Sequence, residues 1–227
     1  MENEQTKEFN IENSDYQFID FSGRPWVFQF TGTMHSGKDT CAALLKGILE
    51  ERGMRVLCLN YADFLKAICT RNFGYNDNNK EKGREILQNF GTKVREKEKD
   101  FWIHTVFHFF DLMRFDYDAF IIADCRYENE LQPSPYIFTY PIVNIYVARK
   151  VEENLKNIDH ESESMSRNFD EDMYHWIVNN NGSIDNTREQ LVEMIEYFEP
   201  LRERKMASQI LGIATYFNKN KEEENNE

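Results

Sequence analysis

Residues 32–40 have the spacing of a phosphate-binding loop, G-x-x-x-x-G-K, and read Gly-Thr-Met-His-Ser-Gly-Lys-Asp-Thr. Glycines allow the backbone N–H groups to wrap around an anion, and the helix that follows directs its positive dipole end at the same anion. Lys38 is placed to bridge the outer phosphates of a nucleotide. The apolar run Trp26–Phe30 precedes the loop and a helical pattern follows it. We therefore expect the nucleotide to be held by Gly32, Ser36, Gly37, Lys38, Asp39 and Thr40.

Asp39 occupies the position where the common form of this loop has a serine or threonine that binds Mg²⁺. A carboxylate can hold Mg²⁺ directly or through a water, because this hard cation keeps several waters. Thr40 then falls where a hydroxyl can reach the innermost phosphate. Asp39 is also a favourable acid for a helix N-terminus, and both interpretations can hold together.

A second candidate site is Asp124, which ends the apolar run Phe120–Ala123. Such a run predicts a buried strand, and ligands of open α/β sheets bind at the carboxyl ends of strands. Asp124 could organise Mg²⁺ there, and Arg126 could bind a phosphate with two hydrogen bonds. The alternative is a strand-end aspartate that accepts hydrogen bonds from nearby backbone N–H groups.

A third candidate is a helix face formed by Arg84, Gln88 and Thr92, which recur at intervals of four residues. A guanidinium and an amide on one face suit the binding of a phosphate and a base edge. On its own, the same pattern is typical of a solvated helix face.

The elements that must position these residues alternate along the chain, which predicts a three-layer α/β/α fold with a mostly parallel sheet of about five strands. The predicted strands are Val27–Phe30, Arg55–Asn60, Phe120–Ala123, Val143–Val147 and Trp176–Val178. The predicted helices are 38–51, 62–71, 80–96, 100–114 and one that begins after Ser183.

Composition restricts the partners of the chain. Its 227 residues are sufficient for one α/β domain, and its net charge of −13 argues against nucleic acid as a partner. No apolar run is long enough to span a membrane and no signal peptide is recognisable, so we expect no membrane partner and a cytoplasmic location. The cysteines, which have no C-x-x-C spacing, are expected to be buried free thiols.

Several stretches, in order over residues 27–198, resemble the phage-type deoxynucleoside monophosphate kinases, a branch of the P-loop kinases. The stretches that carry the resemblance are Ser36–Thr40, Tyr61–Lys66, Leu87–Thr92 with Trp102, Asp124–Arg126 with Glu128 and Glu130, His160–Glu163 and Asn180–Ser183.

The resemblance implies ATP-dependent and Mg²⁺-dependent phosphorylation of a (deoxy)nucleoside monophosphate. It implies catalytic roles for Lys38, Arg84, Asp124 and Arg126, and acceptor binding by Asp63, Lys66, Arg84, Gln88 and Thr92. It places adenine near Asn180 and Gly182, Mg²⁺ near Asp39 and Asp124, and a lid at about 150–172 with Arg149, Lys150 and Arg167. Met34 and His35 depart from the family, whose loops often carry basic residues at these positions.

Composition and the extent of the resemblance divide the chain into a polar N-terminal arm (1–22), a P-loop kinase domain (23–198), a C-terminal helical extension (199–217) and a disordered acidic tail (218–227). The resembled family has no counterpart of residues 1–22 and 199–227. A homodimer is possible. Two other functions stay open: a P-loop kinase for another small molecule, such as phosphomevalonate, and a catalytically impaired nucleotide-binding regulator.

Overall fold

Five strands, six α-helices and a short 3-10 helix (Glu171–Met173) form the part of the chain that the computed structural model describes, which is residues 24–76, 78, 80–131, 140–150 and 170–200. The strands are β1 (Trp26–Thr31), β2 (Val56–Cys58), β3 (Ala119–Ile122), β4 (Ile142–Ala148) and β5 (Trp176–Asn179). The helices are α1 (Lys38–Glu51), α2 (Tyr61–Phe73), α3 (Lys80–Lys97), α4 (Phe101–Met113), α5 (Glu128–Leu131) and α6 (184–200).

The strands form one sheet in the order β2-β3-β1-β4-β5, and every neighbouring pair is parallel. β1 is central, with β3 on one side and β4 on the other. The chain leaves β1 towards β2 at one edge and later crosses to β4 on the opposite side. In parallel sheets such a change of direction opens a crevice at the carboxyl end of the central strand.

Helices cover both faces of the sheet, which confirms the predicted three layers. Successive residues of a strand point to opposite faces, and accordingly Phe28 and Ile121 pack with α1 and α6, whereas Val27 and Phe120 pack with α4. All six residues of β1 are buried, as expected for a strand covered on both sides.

A smaller cluster lies where α2, α3 and α4 meet. Its buried members are Leu65, Cys69 and Trp102, and apolar side chains of α3 pack against them. Gly91 of α3 permits this close approach, since a Cβ at that position would lie 3.2 Å from Cδ2 of Leu65. The apolar stripe of α3 is therefore fixed on α2 and α4, and this determines the direction of its polar face.

Several predictions fall outside the described residues: the N-terminal arm, the C-terminal extension beyond residue 200, the acidic tail, Arg167 and most of the lid. Within the described residues, no helix is both long and apolar enough to span a bilayer.

The four cysteines are free, but Cys58 is exposed, so the expectation that all four are buried is wrong at this position. Cys58 is the last residue of β2, which is an edge strand of the sheet.

Candidate phosphate-binding site

The residues that follow the five strands meet at one edge of the sheet, because all the strands are parallel. The phosphate loop follows β1, Asn60 follows β2, Asp124 follows β3, Arg149 follows β4 and Asn180 follows β5. Four of these five positions belong to the site predicted from the sequence. Asn60 is the exception.

The loop requires glycine at two positions. Gly32 has φ 142° and Gly37 has φ 97°, and both values are strained for other residues. A Cβ at Gly32 would lie 2.6 Å from the carbonyl oxygen of Val147, and one at Gly37 would lie 2.3 Å from Nδ2 of Asn180. The loop is therefore packed tightly against the ends of β4 and β5.

Lys38 begins α1 and turns back over the loop, where its ammonium donates to the carbonyl oxygens of Gly32 and Thr33, each at 2.8 Å. The first N–H groups of a helix have no partner one turn earlier in that helix. Those of Lys38, Asp39 and Thr40 therefore provide donors beside the ammonium. Asp39 and Thr40 are exposed, so both side chains are accessible to a ligand.

The two loop residues that depart from the resembled family have distinct structural features. His35 adopts a left-handed conformation with φ 63°, which is uncommon outside glycine. Met34 contacts another element: its Sδ lies 3.4 Å from Nη2 of Arg84 on α3. The structure thus brings the predicted acceptor-binding arginine to the loop.

Asp124 is bound to the start of α2. Its two carboxylate oxygens accept the backbone N–H groups of Tyr61 at 2.9 Å and Ala62 at 3.0 Å. Desolvation raises the pKa of this carboxyl above its ordinary value, and the two N–H donors act in the opposite direction. Asp124 therefore makes the contacts of the alternative interpretation, in which a strand-end aspartate accepts hydrogen bonds from backbone N–H groups.

These contacts do not use all of the lone pairs of the Asp124 carboxylate. Each carboxylate oxygen has more than one lone-pair direction, so Asp124 can still accept a hydrogen bond from a metal-bound water. Asp39 supplies an exposed carboxylate in the first turn of α1. No group of three or more metal-binding side chains occurs in the described part of the chain. This is compatible with Mg²⁺, which uses few protein ligands beside phosphates and water.

Asp63 and Lys66 lie on the first turns of α2, close to Asp124. Asp63 accepts the backbone N–H of Asn60 at 2.8 Å and completes a capping box. Lys66 lies 3.8 Å from the Asp63 carboxylate. Asn60 also accepts the N–H of Ala123 at 2.8 Å. Sequence reasoning missed Asn60, although Asn60 and Asp63 have the spacing of a capping box.

The polar face of α3 extends from the phosphate loop to Tyr127, which follows β3. Arg84 reaches the loop at one end, Gln88 and Thr92 follow on the same face, and all three are partly exposed. Arg95 continues this face, with its Cζ 4.0 Å from the centre of the Tyr127 ring. It follows Arg84 by about three helical turns, a spacing by which sequence reasoning could have found it.

Arg126 is exposed, and the backbone around it is fixed by a buried acid. Oε2 of Glu130 accepts the N–H groups of Arg126 at 2.6 Å and Tyr127 at 3.1 Å. Glu130 is 3% exposed, and burial raises the pKa of its carboxyl to about 8.

A buried polar group beneath the site joins α2 to the sheet. Gln29, which is fully buried in β1, accepts a hydrogen bond from the Tyr61 hydroxyl at 2.7 Å and donates to Asn144 of β4 at 3.2 Å. A glutamine inside an otherwise apolar strand was a signal for this residue that sequence reasoning did not use.

The turn after β5 contacts the loop directly. Nδ2 of Asn180 donates to the carbonyl oxygen of Ser36 at 2.7 Å, and its Oδ1 accepts from the hydroxyl of Thr187 at 2.9 Å. Gly182 is exposed two residues later. The guanidinium of Arg149 is also near, because its Nη1 lies 3.9 Å from the position of a Cβ at Gly37. The backbone N–H of Lys150 donates to Asn181.

A phosphate loop between the central strand and first helix of a parallel, helix-covered sheet defines a P-loop α/β domain. No protein-family model matches the chain, and no curated protein is significantly similar to it in sequence.

The similar solved structures include two small-molecule kinases. An APS kinase of Mycobacterium tuberculosis is 14% identical with a TM-score of 0.42, and the match covers 76% of this chain and 99% of that chain. A shikimate kinase of Acinetobacter baumannii, in complex with shikimate, is 13% identical with a TM-score of 0.38, covering 79% and 96%. These values are too low to indicate a substrate, and the class of domain rests on the chain's own loop and sheet.

Proposed function

We propose that this protein transfers the terminal phosphoryl group of ATP to a nucleoside monophosphate. The observation that carries the proposal is the position of Arg84, whose guanidinium reaches the phosphate loop from α3. No carboxylate of the described residues forms an ion pair with it, and a thioether is a weak acceptor. A cation in this position is suited to an anionic second substrate beside the donor phosphates.

The polar face of α3 supports a nucleotide as that second substrate. Arg84 would bind the acceptor phosphate, and Gln88 and Thr92 further along the face provide hydrogen-bonding groups for a sugar or base. Lys66, at the edge of the same crevice, supplies another cation close to Asp124. The deoxynucleotide class within this proposal rests on the motifs that resemble phage-type kinases.

The proposed chemistry requires positioning and charge neutralisation more than proton transfer. A phosphate oxygen of the acceptor is already ionised at neutral pH, so no strong general base is needed. Lys38 and the N–H groups at the start of α1 would hold the donor phosphates. Arg126 would neutralise charge near the transferring group, and Arg149 would act from the far side of the loop. Asp39, and Asp124 through a water, would hold Mg²⁺, which would supply charge neutralisation at the donor phosphates.

An ADP-release assay with ATP, Mg²⁺ and each of the eight common ribo- and deoxynucleoside monophosphates tests the proposal. We expect transfer to at least one of them and a loss of activity by orders of magnitude in Lys38→Ala, because the phosphate clamp is removed. Lys46→Ala is the matched control, since Lys46 is a partly exposed lysine on the same helix that pairs with Glu50.

The outcomes separate the alternatives. Full activity in Lys38→Ala would refute the assignment of the site. ADP release with a different phosphorylated or hydroxylated small molecule, and with none of the nucleotides, would identify a kinase of another specificity. ATP binding without transfer to any acceptor would indicate a regulatory nucleotide-binding protein.

A further inference from the structure

The turn after β5 holds the phosphate loop through the side chain of Asn180. Both ends of its amide contact protein atoms: Nδ2 donates to the Ser36 carbonyl at 2.7 Å and Oδ1 accepts from Thr187 at 2.9 Å. Its backbone N–H donates to the carbonyl of Ala148 at the end of β4. The amide is thereby fixed between α6, the sheet and the loop.

This contact determines the orientation of one peptide group of the loop. The peptide that joins Ser36 to Gly37 is planar, and its C=O and N–H point in opposite directions. Because Asn180 holds the Ser36 carbonyl on one side, the Gly37 N–H is directed to the other side, away from Asn180. That N–H has no hydrogen-bond partner among the described residues, as expected for a donor that awaits an anion.

The Ser36 carbonyl, which can only accept, determines that the NH₂ end of the amide faces the loop, and Thr187 supports this orientation from the other end. Thr187 is 1% exposed, and its hydroxyl lies between Oδ1 of Asn180 and the carbonyl oxygen of Ser183 at 3.2 Å. A hydroxyl that donates to Oδ1 is consistent with an NH₂ group of Asn180 that points at Ser36. Only glycine at position 37 leaves space for this NH₂ group, because a Cβ there would lie 2.3 Å from Nδ2 of Asn180.

We propose that Asn180 is a positioning residue for the donor phosphates, and that it acts through the Ser36–Gly37 peptide instead of contacting adenine. The inference rests on the proposed function only in that the loop binds an oligophosphate. It revises the adenine contact that the resemblance implied for this residue. Asn180 and Thr187 together keep the loop open for an anion before any ligand binds.

Inorganic tripolyphosphate, which has no base, is the probe that separates the two roles. The affinities of the full chain for tripolyphosphate and for ATP are measured by calorimetric titration. Asn180→Ala should weaken the binding of both ligands by a similar factor, roughly three- to tenfold, as expected for one lost hydrogen bond. Thr187→Val should weaken both in the same manner, and Thr187→Ser, which keeps the hydroxyl, should restore binding. Where transfer is measurable, the KM for ATP should rise and the KM for the acceptor should not.

Asn72→Ala is the matched control, because Nδ2 of Asn72 also donates to a backbone carbonyl, that of Ile68 at 2.9 Å, near the end of α2. It should leave both affinities unchanged. Titrations are made well below the unfolding midpoint of each variant, and Thr187→Val serves if Asn180→Ala does not fold.

Weaker ATP binding with unchanged tripolyphosphate binding in Asn180→Ala would assign Asn180 to adenine and overturn the proposal. Unchanged binding of both ligands in Asn180→Ala would also overturn the proposal. A wild-type protein that binds tripolyphosphate but transfers no phosphoryl group would refute the kinase function and leave the effect of Asn180 measurable. A wild-type protein that binds neither ligand would overturn both proposals.

Discussion

At the scale of single residues, the cations of the site differ in their partners. Lys38 donates to loop carbonyls, and Lys66 lies beside the Asp63 carboxylate. Arg84 instead contacts a thioether and has no carboxylate partner within the described residues. Of these three, Arg84 is therefore the one most clearly left to bind an external anion.

The proposed role of Arg84 in acceptor binding predicts a selective kinetic defect. Arg84→Ala should raise the KM for the acceptor monophosphate by roughly 10- to 100-fold, because a charge-assisted hydrogen bond contributes about 1.5–3 kcal/mol. The dissociation constant of ATP should change little. Arg84→Lys should recover only part of the loss, since lysine lacks the planar fork of donors.

Lys93→Ala controls for the loss of a cation on the same helix. Lys93 is exposed and lies about two and a half turns from Arg84, on the opposite side of α3. If Arg84→Ala weakened ATP and left the acceptor KM unchanged, the arginine would belong to the donor half of the site.

The contacts of individual polar residues were the least predictable part of the site. The sequence located Asp124 at the end of a strand, but its N–H donors come from α2, more than sixty residues earlier in the chain. Asn180 likewise bonds to Ser36 across 144 positions. Such partners depend on the order of strands in the sheet, which hydrophobic periodicity does not reveal.

At the scale of elements, apolar runs predicted all five strands, and the structure confirms them with small shifts at the ends. β2 is the largest exception: residues 55–60 were expected, but only Val56–Cys58 pair with β3. The polar residue Asn60 ends the run because its side chain caps α2 and accepts the Ala123 N–H. The predicted helix after Ser183 is confirmed together with its cap, since the Ser183 hydroxyl accepts the N–H of Asn186.

The buried carboxyl of Glu130 on α5 predicts a dependence of stability on pH. Burial raises the pKa of Glu130 from 4.5 to about 8. The folded protein therefore binds this proton more tightly than the unfolded chain, and the associated stability is lost as the pH rises from about 4.5 to 8. Glu130→Gln keeps an acceptor for the N–H groups of Arg126 and Tyr127 but has no charge.

Denaturant unfolding of both proteins at several values between pH 5 and 8 measures this effect. The free energy of unfolding of the wild type, relative to Glu130→Gln, should fall with rising pH by up to about 1.4 kcal/mol per unit. Glu128→Gln, an exposed change on the same short helix, should follow the wild type. Parallel curves for wild type and Glu130→Gln would show that Glu130 does not titrate in this range.

At the scale of the whole molecule, the charge of the site contrasts with the charge of the chain. The net charge is −13, yet Lys38, Arg84, Arg126 and Arg149 are grouped around the carboxyl edge of the sheet. A small anion can lie among these cations at short range. A long polyanion would also meet the acidic remainder of the surface.

This contrast predicts which phosphates stabilise the folded protein. ATP with Mg²⁺ at about 100 times its dissociation constant should add about 2.7 kcal/mol and raise the unfolding midpoint by roughly 5–10 °C. The rise should be absent in Lys38→Ala and retained in Lys46→Ala. A single-stranded DNA oligonucleotide at the same phosphate concentration should produce no rise, because the acidic chain repels it. A similar rise with DNA would show that phosphate charge alone is recognised, and an undiminished rise in Lys38→Ala would place the nucleotide away from the loop.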